Sequence, residues 1–398
     1  MSAVSAPPNS TSPGFIAYED LLDLQNNAEY TEKLIQEVIS KQNVQKSFWK
    51  ACSDPSPPSC TLEAIALEIF EFHTGGKDYV LIEEEDAGKY EGELVIDNDS
   101  KPNASTAGSA KKKKKKKKKG SKSQKMRKLR IDRNTSGVEW WVQVRGPGQP
   151  KGTSLGFHWD ENYGEDDGSS GVKSGSITDR NRLPWLATVS YLCNRGAPTV
   201  AMPVSKFQAE EQLPAGGLDG EIGIKEGYVS FPSKGKHMAF KGHWLHGVPS
   251  ELVDEDGAPR KAAAPNEETG VAGEETYLRC TFLVNIWINT GAPNEIHANQ
   301  NRTPIVNKCK YSESAGQPNT SYLKGQIKRG AVSEIITDAD TPVCGFGFGK
   351  SDSDSFQFWM PLPMPAIHKC WDKKSQPRNN FKLIFSGGED APCFLCRP

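Results

Sequence analysis

Apolar residues recur at helical spacing only near the start of the chain. Leu21, Leu22, Leu34, Ile35, Val38 and Ile39 predict an amphipathic helix between Tyr18 and Ile39. Residues 53–59 are rich in proline, which lacks an amide donor and clashes with the preceding turn, so no helix continues through them. A second helix opens at Thr61, carries Leu62, Ile65, Ala66, Ile69 and Phe70 on one stripe, and closes at Gly75-Gly76. Two such helices need a sheet to pack on.

From Val138 the period drops to two. Segments 139–144, 155–159, 185–192, 199–202, 227–231, 238–240 and 277–288 read as short strands separated by Gly/Pro turns. Strands in succession without intervening helices imply a sandwich, barrel or jelly roll. Segments 357–360 and 381–385 also read as strands, though pattern alone does not place them, and no internal repeat is visible. The expected class is α+β and mainly β. It divides into a disordered lead (1–14), an N-terminal helical region packing on the core (15–96) and a disordered Lys-rich linker (97–136). A jelly-roll core (137–290, with a loop insert at 251–276) and a C-terminal extension (291–398) follow.

Charge changes this picture in one respect. The formal net charge is −1, but residues 111–130 hold fourteen Lys or Arg and no acid, leaving 35 basic against 50 acidic residues elsewhere. An acidic body is not built to lie along nucleic acid. The nine lysines from Lys111 to Lys119 read either as an address for nuclear import or an anchor for acidic partners, or as a solvated low-complexity insertion. Nine scattered cysteines suit a reducing compartment better than a disulfide framework. The first fifteen residues lack the pattern of a secretory signal, and no run approaches the roughly 20 apolar residues of a membrane span. The expectation is a cytoplasmic or nuclear protein without a membrane partner.

The candidate chemistry centres on Leu155-Gly156-Phe157-His158-Trp159-Asp160. On a strand, residues two apart project from one face, so His158 and Asp160 can grip one ion. His246, in His243-Trp244-Leu245-His246-Gly247-Val248-Pro249, is the best third ligand, with His243 its rival. Two imidazoles and one carboxylate on one face of an octahedron suit non-haem Fe(II). Arg279 lies in an apolar strand with no local acid to pair it, so a ligand carboxylate is an attractive partner; Thr281, two residues on, faces the same way. The other reading pairs Arg279 with an acid on a neighbouring strand. Trp140, Trp141, Phe157, Trp159, Trp185 and Trp244 would dry the site or simply fill the core. Cys393-x-x-Cys396 with His368-x-Cys370 could form a zinc set, or an idle reduced pair. No phosphate loop or serine elbow is present, and Gly345-x-Gly347-x-Gly349 is too loose to count.

His158-x-Asp160, His246-Gly247-Val248 and Arg279-x-Thr281, set in β-rich sequence, together resemble the Fe(II)- and 2-oxoglutarate-dependent oxygenases over roughly 138–290. The resemblance implies a double-stranded β-helix with iron on His158, Asp160 and His246. It implies that Arg279 and Thr281 hold the distal carboxylate of 2-oxoglutarate, and that O₂ is the other cosubstrate. Segment 186–192, followed by 196–199, is similar to the family's strand after the first ligands, which puts Tyr191 beside the cosubstrate. The implied reaction is decarboxylation of 2-oxoglutarate to succinate, coupled to hydroxylation of an unidentified protein or small molecule. The insert at 251–276 departs from the family, whose Arg follows the second His closely. A cupin-like protein with another metal, or a non-catalytic interaction protein, are the competing readings. Loops 161–182, 204–222 and 251–276 are expected to set specificity.

Overall fold

The computed structural model describes residues 14–24, 28–41, 47–84, 94–95, 126–160, 183–213, 220–254, 278–292, 321–324, 327–337, 340–349, 355–370, 379–386 and 393–397. The N-terminal elements are β1 (Phe15–Glu19), α1 (Ala28–Lys41), β2 (Phe48–Ala51), α2 (Thr61–Thr74), β3 (Tyr79–Glu83), β4 (Leu94–Val95) and β5 (Met126–Arg130). Then come β6 (Gly137–Arg145), β7 (Leu155–His158), β8 (Leu186–Tyr191), β9 (Thr199–Met202), α3 (Lys206–Gln212), β10 (Glu221–Gly223), β11 (Glu226–Ser230), β12 (His237–Lys241), β13 (Leu245–Val248) and β14 (Arg279–Trp287). The C-terminal elements are β15 (Lys328–Arg329), β16 (Ser333–Thr337), β17 (Val343–Phe348), β18 (Phe356–Pro361), α4 (Met364–Cys370), β19 (Asn380–Phe385) and β20 (Phe394–Cys396).

The chain is mainly β, with four helices among the described residues and pairings that are antiparallel apart from β16 with β19. The seven-stranded sheet runs β15-β1-β12-β8-β14-β6-β2 and the six-stranded sheet runs β16-β19-β11-β9-β13-β7. β14 is buried along its whole length, as its run of apolar residues requires of a strand covered on both sides. One face of the large sheet, through Trp140, Val142, Phe282 and Val284, meets Leu62, Ile65, Ile69 and Phe70 of α2. Gly75 ends that helix in the left-handed region (φ 66°), and the amides of Gly75 and Gly76 close onto Phe72 and Glu71. The other face, through Val189, Tyr191, Phe240 and Leu283, meets Ala201 and Trp244 on the smaller sheet's side. Behind the smaller sheet, Phe157, Val229 and Leu245 pack with Phe358, Phe381 and Leu395.

Several expectations need correction. The first helix spans only Ala28–Lys41. Upstream of it, Phe15–Glu19 is a strand between β12 and β15, because the run Phe15-Ile16-Ala17-Tyr18 is buried in the large sheet. The N-terminal region is thus woven into the sheet as well as packed upon it. The span expected to be a linker contains β5, which pairs with β3 from Tyr79↔Arg130 to Glu83↔Met126. Its sequence, Met-Arg-Lys-Leu-Arg, betrays a strand only through Leu129, which is fully buried. The strand series is also interrupted by α3, where Ser205 and Gln208 form a reciprocal capping box. The C-terminal extension supplies β19 and β16 to the smaller sheet and builds a four-stranded sheet in the order β10-β20-β18-β17. Residues 97–125 and the lysines from Lys111 to Lys119 lie outside the described residues.

Two imidazoles join α2 to the large sheet. His73 and His237 meet Nε2 to Nε2 at 2.9 Å, and Ser190 Oγ lies 2.8 Å from His237 Nδ1. Burial lowers the His73 pKa to about 3, and burial with the neighbouring ring holds His237 well below its ordinary value. Both rings stay neutral in the folded chain and protonate near 6.5 when unfolded. Unfolding therefore takes up protons as pH falls from about 6.5 towards 3, and stability declines across that window. Melting temperatures should drop stepwise from pH 7 to pH 5, less steeply in His73→Gln. An equal slope in the variant would acquit the pair of acid lability.

Candidate metal centre

The centre begins with the alternation of β7. Phe157 and Trp159 point away from the large sheet into an aromatic cluster. Phe157 lies 4.6 Å from Phe358 and 5.1 Å from Phe346 between ring centroids, and Trp159 lies 5.5 Å from both Phe348 and Phe356. Trp159 also donates its indole N–H to the Val204 carbonyl at 2.9 Å. With those rings anchored, His158 and Asp160 emerge on the opposite face, towards the large sheet. β13 runs antiparallel beside β7 and places His246 directly across from His158.

Three side chains converge there. One donor atom each from His158, Asp160 and His246 lie within 4.8 Å of one another, and no other group of three or more such residues converges among the described residues. His158 Nε2 is 3.7 Å from Asp160 Oδ1, and His246 Nε2 is 3.5 Å from Asp160 Oδ2. These separations exceed a hydrogen bond, and suit donors each about 2.1 Å from a shared ion. Each imidazole uses its other nitrogen on the carbonyl two residues back: His158 Nδ1 on Gly156 at 2.9 Å and His246 Nδ1 on Trp244 at 3.0 Å. A carbonyl only accepts, so Nδ1 carries the proton and Nε2 offers its lone pair inward. Burial, then the neighbouring His246, lowers the His158 pKa to about 4, against an opposing pull from Asp160. The ring is neutral at physiological pH, as a metal ligand must be. Two imidazole nitrogens and a carboxylate oxygen fit a divalent transition metal.

The donors line a cleft of about 390 Å³ that also contains Arg279, Gln143, Thr199 and Asn285. Arg279 is 1% exposed and forms no ion pair among the described residues. It donates to the Ala197 carbonyl (2.8 Å), Thr199 Oγ1 (2.9 Å) and Thr281 Oγ1 (3.3 Å). Gly196, at φ 114°, lets the chain pass; a Cβ there would come within 2.6 Å of the arginine's own. Tyr191 stacks its ring 5.5 Å from the guanidinium and directs its hydroxyl to Thr199 and Ser230. It buttresses Arg279 from outside the cleft wall. His243 is buried and does not join the converging set. Cys393 and Cys396 lie on or beside β20 without converging with His368 and Cys370 into a ligand group.

Sequence reasoning missed four residues here. Thr199 holds Arg279 from another strand, Asn285 binds Asp160, Gln143 lines the cleft, and Arg145 stands opposite Arg279 in the β6–β14 register. Only the odd polar residues in otherwise apolar strands could have signalled them.

No family model matches this chain, and no curated protein does. Among solved structures, a prolyl-4-hydroxylase of Pseudomonas putida matches at 15% identity over 39% of this chain and 52% of its own, with a TM-score of 0.18. The chain thus spans about half the length of that hydroxylase. So slight a likeness bears on neither fold nor activity, and the converging His-x-Asp and His carry the functional case. No described helix is long and apolar enough to cross a membrane.

The close approach of β13 to β7 yields a test. A Cβ on Gly247 would sit 3.1 Å from the Phe157 ring and 3.2 Å from the Leu155 carbonyl. Gly247→Val should destabilise the fold by about 1–3 kcal/mol, measured by urea unfolding. Unchanged stability would mean that the two ligand strands are not so tightly apposed.

Proposed function

We propose that the chain is an Fe(II)- and 2-oxoglutarate-dependent oxygenase with a double-stranded β-helix core. The observation that carries this reading is one cleft holding both a His-x-Asp and His donor set and a buried guanidinium without an acid partner among the described residues. His158, Asp160 and His246 would hold the iron. Arg279, with Thr281 and Thr199, would receive the distal carboxylate of 2-oxoglutarate. A guanidinium fork matches a carboxylate in shape and charge. Thr199 Oγ1 already accepts from Arg279, so its own proton is available to a ligand oxygen.

The surroundings favour an anion. Arg145 faces Arg279 across the strand pair, and burial together with that neighbour lowers its pKa to about 10. Like charges directly opposite one another destabilise a sheet, and a bound carboxylate relieves them. Phe240 and Leu283 give the cleft apolar walls that help exclude water. Bound iron would supply the redox chemistry by which decarboxylation of 2-oxoglutarate to succinate drives hydroxylation of a protein or small-molecule substrate. Segments 161–182 and 255–277, which include most of the expected specificity loops, lie outside the described residues. An acidic partner or import factor bound through the lysines from Lys111 to Lys119, and a cytoplasmic or nuclear location, belong to this proposal.

Purified protein given Fe(II), 2-oxoglutarate and O₂ should form succinate, and Asp160→Ala should not. Arg279→Ala should keep its metal but weaken 2-oxoglutarate binding about ten-fold or more, the loss expected of a charged hydrogen-bond partner. Metal binding with unchanged 2-oxoglutarate affinity in Arg279→Ala would favour a cupin-like protein using another metal.

A further inference from the structure

We infer that Asn285 and Glu139 form a positioning pair for Asp160, in which the Asn285 amide fixes the carboxylate oxygen presented to the metal. This inference rests on the metal centre proposed above. Asn285 sits two residues before the end of β14, in the run Arg-Cys-Thr-Phe-Leu-Val-Asn-Ile-Trp, and is 2% exposed. A buried amide is costly unless its hydrogen bonds are made, and an apolar residue would suit that strand better. The amide is made useful by its neighbours. Asn285 Nδ2 donates to Asp160 Oδ2 at 3.1 Å, the one hydrogen bond Asp160 receives among the described residues. Asp160 Oδ1 has no such partner among the described residues.

Glu139 lies directly opposite Asn285 in the β6–β14 register. Its Oε1 accepts from Ser47 Oγ at 2.5 Å and its Oε2 from Trp287 Nε1 at 3.0 Å, and the Asn285 side chain faces it across the strand pair. The Asn285 amide therefore stands between two carboxyl groups, bonded to the one on a candidate ligand and facing the one on a neighbouring strand. Exchanging oxygen for nitrogen would aim a lone pair at the Asp160 carboxylate, so that acceptor, with the Glu139 carboxyl group alongside, decides which way the amide faces. Glu139 is itself fixed by Ser47, the residue before β2, and by Trp287 at the end of β14, and passes that rigidity on. Asp160 lies two residues beyond the end of β7, where strand pairing no longer fixes it. Without the amide its carboxylate would be free to turn, since the torsion next to a carboxylate is broad. With Oδ2 held by the amide, Oδ1 would be the oxygen turned to the ion, and ligation through one oxygen would leave room beside it for a keto acid.

The test is Co(II) titration of metal-free protein, read by affinity and by the visible spectrum, in wild type, Asn285→Ser, Glu139→Ala and Glu139→Gln. Circular dichroism and melting temperature establish that each variant is folded. Asn285→Ser should bind Co(II) about ten-fold more weakly or worse, within the range that partners of metal ligands contribute, and should alter the spectrum. Glu139→Ala should show a smaller loss. Glu139→Gln should recover most of that loss, because its side-chain oxygen can still face the amide. Folded Asn285→Ser and Glu139→Ala proteins with wild-type affinity and spectrum would overturn the pairing, as would a Glu139→Gln protein no better than Glu139→Ala. Should Asn285→Ser not fold, the two Glu139 variants decide alone. Wild-type protein that takes up no Co(II) overturns the metal centre itself, a separate and recognisable failure.

Discussion

Strand alternation over four residues governs the centre. If Phe157 and Trp159 are buried behind β7, then His158 and Asp160 must face the large sheet, and a slip of one residue would exchange the two pairs. The rings resist that slip. Each of Phe157 and Trp159 is at most 6% exposed, and burying a large apolar side chain contributes about 1.5–3 kcal/mol. Their partners Phe346, Phe348, Phe356 and Phe358 all come from β17 and β18. The C-terminal part of the chain therefore holds His158 and Asp160 in place, although among the described residues it adds nothing to the converging set.

Polarity in the cleft is sorted by end. Arg279 and Arg145 stand at one end of the β6–β14 pair, and Glu139 with Asn285 stands towards the other, beside Asp160. Burial, together with the nearby Asp160, raises the Glu139 pKa to about 7 despite its bonds to Ser47 and Trp287. A cation bound near Asp160 and an anion bound near Arg279 would each meet a complementary field. By their register the same two strands place the Arg279 guanidinium and the Asn285 amide well apart in one cleft.

Much of this was legible in the residues themselves. The period-two spacing of His158 and Asp160, the apolar neighbours of Arg279 and the stripe and Gly stop of α2 all follow from local rules. β1 and β2 were not, because Phe15–Glu19 and Phe48–Ala51 become strands only by pairing with β12 and β6, far along the chain. β5 was hidden by its own charge, since Arg127, Lys128 and Arg130 surround the single buried Leu129. Asn285 and Thr199 have no spacing relation to Asp160 and Arg279, and the sheet alone brings them together. Local pattern thus named three residues that converge, and tertiary pairing supplied what steadies them.

The most direct test of the account is X-ray absorption at the iron edge of anaerobic protein loaded with Fe(II) and 2-oxoglutarate. The account predicts a shell of nitrogen and oxygen only, with scattering from two imidazoles that falls to one in His246→Ala. Sulfur in that shell, or an imidazole count indifferent to His246, would contradict it.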